Sequence, residues 1–385
     1  MMTKNPRSKP ATMHDVARHA GVSVKTVSNV INDWPYVTPE TRQKVWDAIQ
    51  AVQYRPNLTA RSLVTGKTHT VGVIVPDLSN PFFGSAIRGC EDELLESQYS
   101  LLLCNANEDA ERERYYLNLL VSRAVDAVIT WGSRLTQAEL SLIVGDQIPL
   151  LTIDASEPPT AANHLNVDID NIAGARLATQ HLIEQGYRRI AHFAGPEGRV
   201  TAKHRLAGYR QALEMTGQPY DPALVASQTP TIQGGYVLAQ AFMRQDRRPD
   251  AIFCYNDLMA IGVLLACRQF GWQVPGEVGL VGFDDLPMAT LMDPPLTTVR
   301  IAQYPLGRLT GRLVLDAIKN ASRPQQSVPY LVELQVRGSS GKGLLTENGR
   351  RAMVESLMAS LGEDRLGQPA PAATVDPRQT PDSAG

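Results

Sequence analysis

The chain has 385 residues, of which 43% are hydrophobic and 20% are charged, and its formal net charge is −2. This length exceeds one ordinary domain, and the apolar fraction is large enough to form buried cores. No N-terminal signal core is visible, and no stretch approaches the roughly 18 apolar residues of a membrane span. The composition therefore disfavours a membrane or exported protein, and we expect a cytoplasmic one.

The charges are unevenly distributed along the chain. Residues 1–66 carry nine Lys and Arg against four Asp and Glu, about +5, which leaves about −7 for the remainder. A basic segment joined to an acidic remainder suits a molecule that binds a polyanion with one end only.

Residues 12–32 predict two short helices joined by a tight turn. Thr12 is placed to cap the first helix, with Asp15 near its positive end. Gly21 ends that helix, because glycine adopts a left-handed conformation without strain, and Ser23 caps the next helix. Apolar residues at helical spacing pack the pair together: Met13, Val16, Ala17, Ala20, Val24, Val27, Val30 and Ile31.

The second helix leaves small polar and basic side chains on its outer face, namely Lys25, Thr26, Ser28 and Asn29. Such a helix beside a glycine turn suits a DNA groove, where it can donate to bases and meet phosphates. A simple helical hairpin would explain the turn equally well. A third helix, capped by Thr38 with Pro39 at its first position, closes a three-helix core and favours the DNA-binding interpretation.

From Thr70 onward, short apolar strands alternate with helices, and the rhythm restarts after residue 168. Such strands indicate parallel sheets that are covered on both faces. Two such halves in series predict two doubly wound domains facing each other across a cleft. After residue 299 we expect the chain to return to the first half through a helix over 304–320 and to end in a strand over 330–336.

Ordered motifs in both parts carry a resemblance to a known family. In the first part they are Asp15-Val16-Ala17, Ala20-Gly21-Val22-Ser23, Thr26-Val27-Ser28 and Tyr54-Arg55-Pro56-Asn57, followed by Ala60, Arg61 and Leu63. In the second they are Val75-Pro76-Asp77, Asn80-Pro81-Phe82-Phe83, Asn256-Asp257, Val281-Gly282-Phe283-Asp284-Asp285 and Pro295-Leu296-Thr297-Thr298. Over residues 12–340 the chain resembles the LacI/GalR (lactose/galactose-repressor) family of bacterial transcription regulators.

The resemblance implies an all-α helix-turn-helix head and an α/β body of two doubly wound parallel-sheet subdomains, similar to periplasmic sugar-binding proteins. The divisions we expect are an N-terminal arm (1–11), the DNA-binding head (12–56), a hinge helix and linker (57–68), the body (69–340) and a C-terminal extension (341–385). Within the body, the N-subdomain covers 69–168 and 299–329, and the C-subdomain covers 169–298 and 330–340. In the extension, a short helix over 348–361 precedes a disordered tail, and its part in tetramerisation stays open.

On this resemblance, Lys25 and Thr26 reach base edges, and Val24 touches a thymine methyl group or a sugar. Asn29 stands where relatives often carry Arg or His, and an amide prefers adenine or acts through water, so the operator sequence cannot be carried over. Phosphate contacts fix register but not sequence. The side chains that suit such contacts, and equally suit helix caps or surface positions, are Thr12, Ser23, Ser28, Asn32 and Tyr36.

The hinge is the second DNA-contacting segment that the resemblance implies. In the family, paired hinge helices enter the minor groove and a leucine wedges into the central base step; Leu63 matches it, with Ala60 close behind and Asn57 and Arg61 on the same segment. Alternatively, Leu63 docks on the body as a linker residue. Because the segment is short and polar, we expect it to order when two copies meet on DNA.

The cleft should hold a small effector on loops at strand ends. The side chains that match ligand-contacting positions or lie beside them are Asp77, Phe82, Phe83, Asp154, Arg205, Asn256 and Asp284. An arginine, carboxylates and an amide suit the hydroxyls of a polyol, and an aromatic face suits a sugar ring. The alternatives are that Asp284 and Asp257 cap helices or tie loops, and that the phenylalanines stack on a purine base.

We therefore predict a homodimeric repressor of carbohydrate-metabolism genes that binds a palindromic operator in double-stranded DNA, its affinity controlled by a sugar-like effector. Whether the effector releases or promotes DNA binding stays open. The rival functions are the same regulator with a purine or nucleoside effector, and a sugar-binding protein or enzyme on this fold. Because nucleotide, phosphate-loop, serine-hydrolase and zinc-protease motifs are absent, and the histidines and cysteines lack ligand spacing, we expect no catalysis, metal or cofactor.

Overall fold

The computed structural model describes residues 11–31, 34–54, 66–155, 157–159, 161–320 and 326–341. These residues belong to two compact units, which divide between Thr68 and His69 and which we call the head and the body. Within the described residues, every helix is too short or too polar to span a lipid bilayer.

The described residues of the head form α1 (Met13–Ala20), α2 (Val24–Ile31) and α3 (Pro39–Ala51). Thr12 and Asp15 form a reciprocal capping box on α1, in which the Thr12 amide donates to the Asp15 carboxylate at 2.9 Å. Gly21 ends α1 with φ of +67°, as the turn requires. The sequence therefore folds into a helix-turn-helix with a third supporting helix.

A small core holds these three helices together. Its buried members come from all three helices and from the segment after α3: Val16, Ala17, Val27, Val30, Val45, Ala48, Ile49 and Tyr54. Each helix contributes its apolar face, so its polar face stays at the surface.

The body contains two six-stranded sheets with helices packed on them, which we call the first lobe and the second lobe. The first lobe comprises β1 (Thr70–Val75), α4 (Pro81–Glu96), β2 (Ser100–Asn105), α5 (Ala110–Ser122), β3 (Ala127–Trp131), α6 (Gln137–Val144), β4 (Leu150–Ile153) and β5 (His164–Ile169), and later α11 (Gln303–Lys319) and β11 (Gln326–Tyr330). Its sheet has the order β11-β5-β4-β3-β1-β2.

The second lobe comprises α7 (Asn171–Glu184), β6 (Ile190–Ala194), α8 (Val200–Met215), β7 (Val225–Ser227), α9 (Ile232–Met243), β8 (Ala251–Cys254), α10 (Asp257–Phe270), β9 (Gly279–Asp284), β10 (Thr297–Arg300) and β12 (Glu333–Gln335). Its sheet has the order β12-β10-β9-β8-β6-β7. All strand pairs in the two sheets are parallel except β10 with β12, which is antiparallel. The predicted fold of two doubly wound domains is therefore confirmed.

The chain passes between the lobes at neighbouring positions. It leaves the first lobe after β5, returns to it between β10 and α11, and leaves again between β11 and β12. β5 and β11 pair with each other at one edge of the first sheet, and β10 and β12 pair at one edge of the second. The crossings therefore lie together on one side of the cleft, where they can act as a hinge.

Two strands differ from the sequence-based prediction. The single final strand over 330–336 is wrong, because β11 ends at Tyr330 in the first sheet and β12 begins at Glu333 in the second. β5 was not predicted, since its polar residues His164 and Asn166 break the apolar pattern. Both are buried, and their side chains bond to Gln137 at 3.2 Å and Ser327 at 3.2 Å.

Glycines let the paired helices of the body approach closely. A Cβ atom added to Gly307 in α11 would overlap the carbonyl oxygen of Ala86 in α4, and one added to Gly89 would overlap that of Tyr304. The pairs α7–α8 and α9–α10 contain similar contacts at Gly208 and Gly235. Backbone contact of this kind makes each lobe a tightly packed unit.

Replacing Gly307→Ala should destabilise the body, because the added methyl group has to separate two helix backbones. Overpacking of this kind costs about 1–3 kcal/mol. The matched control is Gly84→Ala in α4, whose added Cβ meets no atom within 4 Å. There the helix propensity of alanine should give about 0.5–1 kcal/mol of stabilisation. Chemical denaturation of the full chain measures both, and a neutral Gly307→Ala would contradict the packing interpretation.

Candidate functional site

A cavity of about 410 Å³ lies between the two lobes and is lined by residues of both. All seven side chains predicted for the effector line it: Asp77, Phe82, Phe83, Asp154, Arg205, Asn256 and Asp284. Asp77 comes shortly after the end of β1, and Asp154 comes directly after β4. The carboxyl ends of parallel strands meet at one edge of the sheet, which brings these residues together. The structure thus brings the predicted set together, and their contact with an effector stays a prediction.

Arg205, from α8, is buried at the cavity and is held on all sides. Its Nε donates to the Asn171 side chain at 2.9 Å, and its Nη1 donates to the Tyr255 carbonyl oxygen. Its Nη2 lies 3.6 Å from the carboxylate of Asp284. The guanidinium carbon also lies 3.6 Å from the centre of the Phe283 ring, in cation–π geometry. These contacts fix the orientation of the guanidinium before any ligand enters.

Asn171 connects this arginine to the other lobe. It is the first residue of α7, and its Nδ2 lies 3.2 Å from Asp154 Oδ1, while its Oδ1 accepts the bond from Arg205. Asp154 Oδ1 also accepts a bond from the Ile169 amide at 3.1 Å. A continuous polar chain therefore runs from Asp154 in the first lobe to Asp284 in the second.

Burial raises the pKa of the Asp154 carboxyl to about 7, and it does the same for Asp284, although the charge of Arg205 opposes both shifts. The backbone at both residues is in the left-handed region, with φ of +55° and +111°. Strained backbone and buried carboxyl groups cost stability and persist at functional sites. The pair can therefore switch between accepting and donating hydrogen bonds near neutral pH.

Asn256 and its neighbour Asp257 make hydrogen bonds that stabilise a helix start and the surrounding loops. Asn256 caps α10 by accepting the Met259 amide at 3.0 Å, and it donates to the Pro230 carbonyl at 3.1 Å. Asp257 is fully buried and accepts bonds from the Leu286 amide at 2.7 Å and the Thr298 hydroxyl at 2.6 Å. Asp257 thus ties loops together and does not line the cavity, whereas Asn256 combines a cap with a place in its wall.

Aromatic side chains form the first-lobe wall. Phe82 and Phe83 lie in the first turn of α4 with their ring centres 5.2 Å apart, and Phe83 meets the Trp131 ring edge-on at 5.9 Å. Among the described residues, the buried Trp131 indole nitrogen has no hydrogen-bond partner, which is costly in free energy. Asp77 accepts two bonds from Ser79, at 2.9 and 2.7 Å.

Sequence reasoning missed Trp131, Glu108 and Arg199, which line this cavity, and Asn171, which does not line it but holds Arg205 by a hydrogen bond. Trp131 follows the same rule as the predicted residues, since it ends β3, and Asn171 begins α7 directly after its capping residue Asp170. Both were therefore detectable from position alone. Arg199 and Glu108 also line the cavity, but they come from different lobes, and nothing in their local sequence indicates that they meet.

The helix-turn-helix head presents the second set of predicted residues. Lys25 is exposed at the start of α2, whereas Val24 is half-buried and packs on the head core. The Ser23 hydroxyl accepts the Thr26 amide at 3.0 Å and lies 2.8 Å from the Thr26 hydroxyl, so Ser23 caps α2. Thr12 likewise caps α1.

The remaining predicted DNA contacts divide into two groups. Ser28 and Asn29 lie half-buried on α2, and Tyr36 is 85% exposed in the loop before α3. Asn32, Asn57, Ala60, Arg61 and Leu63 lie outside the described residues, as does the predicted helix over 348–361.

Two family profiles match the chain in these same two parts. Residues 12–57 match the bacterial regulatory proteins of the lacI family, and residues 68–331 match the periplasmic binding proteins and sugar binding domain of the LacI family. The chain belongs to the LacI family of bacterial transcription regulators. The expected family and fold are thereby confirmed, and so is the expected class of function, a DNA-binding repressor with an effector-binding body.

Individual LacI-family proteins match over nearly their whole length. The HTH-type transcriptional repressor PurR of Actinobacillus pleuropneumoniae serotype 3 is 32% identical over 332 residues, which are 86% of this chain and 98% of that protein. The ribose operon repressor of Halalkalibacterium halodurans is 35% identical over 344 residues, 88% of this chain and 99% of that protein. The crystal structure of the lac repressor dimer bound to operator and the anti-inducer ONPF has a TM-score of 0.77 at 25% identity, covering 86% of this chain and 100% of that chain.

The raised pKa of Asp154 predicts a pH-dependent stability. Between the ordinary value of 3.8 and about 7, the folded protein holds a proton that the unfolded chain releases. This contribution is fully present below the ordinary pKa and is lost as the pH rises through 7. Asp154→Asn removes it, so the difference in unfolding free energy between parent and variant should change by on the order of 2–3 kcal/mol from pH 5 to pH 8.

The measurement is chemical denaturation of both full chains at the two pH values. The parent should lose stability relative to Asp154→Asn as the pH rises. Parallel pH profiles would mean that the buried carboxyl is already ionised at pH 5.

Proposed function

We propose that this LacI-family protein represses carbohydrate-metabolism genes, that it binds a palindromic operator as a homodimer in the bacterial cytoplasm, and that a small sugar-like effector in the cleft controls its affinity for DNA. The observation that carries the proposal is the cavity itself. A preorganised arginine stands there between two buried carboxyl groups and beside an aromatic wall.

The chemistry of the cavity suits a polyhydroxylated ring. Each sugar hydroxyl both donates and accepts, and the carboxyl oxygens of Asp154 and Asp284 accept while the guanidinium of Arg205 donates. Phe82 and Phe83 offer apolar surface for the C–H face of a ring. A volume of about 410 Å³ lies within the range of small-molecule sites.

The named relatives support an effector of this class and also supply the rival. They include ribose operon repressors, and a solved structure that resembles this chain is a transcriptional regulator CelR in complex with cellobiose. They also include several proteins named PurR. A purine or nucleoside effector is therefore the second candidate, with Phe82 or Phe83 stacked on the base.

The two halves of the protein would be coupled through the lobes. A ligand that contacts both lobes favours the closed arrangement, which moves the lobes relative to one another about the crossing segments. Because this movement is linked to DNA binding, effector and operator change each other's affinity equally, typically by 1–3 kcal/mol. Catalysis has no part in this mechanism.

Thermal unfolding of the full chain against a panel of sugars and purines identifies the effector. A ligand that binds only the folded state adds about 2.7 kcal/mol of stability at 100 times its Kd. Asp284→Asn should abolish the shift, because it removes the carboxylate that pairs with Arg205. The matched control is Asp221→Asn, which breaks an Asp–Arg pair with Arg189 outside the cavity, at 3.4 Å, and should keep the shift.

The panel separates the candidates. A shift with purines alone would overturn the sugar assignment and keep the regulator. A shift that survives Asp284→Asn would place the ligand outside the cavity, and no shift with any member would refute both effector classes.

Lys25→Ala should weaken operator binding and reduce discrimination, because Lys25 is exposed at the start of the predicted recognition helix. A good base contact contributes about 1–3 kcal/mol of discrimination. Lys44→Ala is the control, since Lys44 is also an exposed lysine of the head but pairs with Glu40 on α3 at 2.9 Å. Binding is measured by titration with a duplex selected from a random palindromic library and with a scrambled duplex. Equal losses on both duplexes would make Lys25 a phosphate contact.

A further inference from the structure

An arginine of the second lobe reaches across the cleft to the first lobe. Arg199 precedes α8, and its Nε lies 2.9 Å from Glu108 Oε2; its Nη2 contacts the same oxygen, and its Nη1 donates to the Gly132 carbonyl. The Arg199 side chain is only 7% exposed. Separating this pair would leave a shielded charge without compensation, unlike breaking an ion pair in open solvent.

The first lobe is shaped to receive this arginine. Gly132 has φ of +53°, and a Cβ atom there would lie 2.9 Å from Arg199 Nη1. Asn107 and Glu108 also adopt left-handed conformations, with φ of +53° and +58°, although neither is glycine. Consecutive strained residues persist only where the surrounding structure enforces them, so this loop is held in a specific conformation.

Neighbouring side chains hold the loop around Glu108 in this conformation through hydrogen bonds and an ion pair. Arg134 Nη1 lies 3.7 Å from Glu108 Oε2 and 3.3 Å from the Glu108 carbonyl oxygen. The buried carboxylate of Glu113 accepts the Ser133 hydroxyl at 2.5 Å and the Arg134 amide at 3.0 Å. The acceptor side of the contact is therefore built within the first lobe alone.

The strand order places this contact far from the segments where the chain crosses between the lobes. Glu108 follows β2, at the edge of the first sheet opposite to β5 and β11, where the chain crosses. Arg199 follows β6, which is separated from the crossing strand β10 by β8 and β9. The contact between Arg199 and Glu108 therefore lies on the side of the cleft away from the crossing segments. Opening the cleft separates the lobes most on that side, so a contact there resists opening most effectively.

We propose that Arg199, Glu108 and Gly132 form a clasp that sets how far the two lobes open. Because all three residues also line the cavity, the clasp controls access to it, and an entering effector has to release or engage it. The link to the effector rests on the proposed function, whereas the opening of the lobes does not. The clasp can therefore be tested on the full chain without any ligand or DNA.

The test measures the distance between the lobes by electron spin resonance. Spin labels are placed on Leu142→Cys in α6 and Met215→Cys at the end of α8, both exposed, while all four native cysteines are buried. Labelled chains are diluted into unlabelled chains, so that distances arise within one protomer. The variants are Glu108→Gln, Arg199→Gln and the double variant, and the control is Glu139→Gln, which weakens an Arg114 pair inside the first lobe.

The parent and Glu139→Gln should give one narrow distance distribution. Glu108→Gln and Arg199→Gln should each broaden it and move it by more than about 2 Å, because the lobes are released. The double variant should match the single variants, since both remove the same contact. A distribution in Glu108→Gln that equals the parent's, or additive shifts in the double variant, would overturn the clasp. Neither result depends on which effector the panel identifies.

Discussion

The buried guanidinium of Arg205 is the constraint around which the cleft is arranged. A buried charge needs both an opposite charge and full hydrogen bonding, and the protein supplies these from separate elements. Asp284 gives the charge, Asn171 and the Tyr255 carbonyl accept the hydrogen bonds, and Phe283 lies under the guanidinium plane. Because Asn171 also holds Asp154, satisfying one arginine orders the strand ends of both lobes. The same arrangement buries the carboxyl groups of Asp154 and Asp284 and raises the pKa of each to about 7.

The two lobes are tightly packed, and they are connected by short crossing segments. Glycines such as Gly89 and Gly307 allow helix backbones to touch, so neither lobe can deform without losing close contacts. We therefore expect movement of the lobes to be concentrated where the chain passes between the sheets, at the ends of β5, β10 and β11. The contact of Arg199 with Glu108 lies on the other side of the cleft. In the proposed mechanism, crossing segments on one side of the cleft and a charged contact on the other let a bound ligand set how far the lobes open.

Local patterns predicted much of the fold and part of the site. Capping residues and Gly21 marked the helix-turn-helix, because caps and left-handed turns need particular side chains at particular positions. The seven cavity residues were predicted because they match ligand-contacting positions of the family or lie beside them. Arg205, in the second turn of α8, carries no local signal of its own. β5 escaped notice because its buried polar residues are satisfied by partners distant in sequence, as Asn166 is by Ser327. The last strand was misplaced because β11 and β12 are separated by only two residues yet belong to different sheets.

The sequence by itself determined the helical head, the alternation of strands and helices, the family resemblance and the residue types that line the cleft. The head and the alternation depend on local propensity and periodicity, and the cleft residues were predicted from their match to family positions. Only the tertiary structure decided that Asn171 joins Asp154 to Arg205, that Asp257 ties loops, and that Arg199 crosses to Glu108. These relations depend on which strand edges meet across a cleft, and they join residues from 17 to 91 positions apart. Such contacts produce no periodic pattern in the sequence, because each depends on which elements the fold brings together.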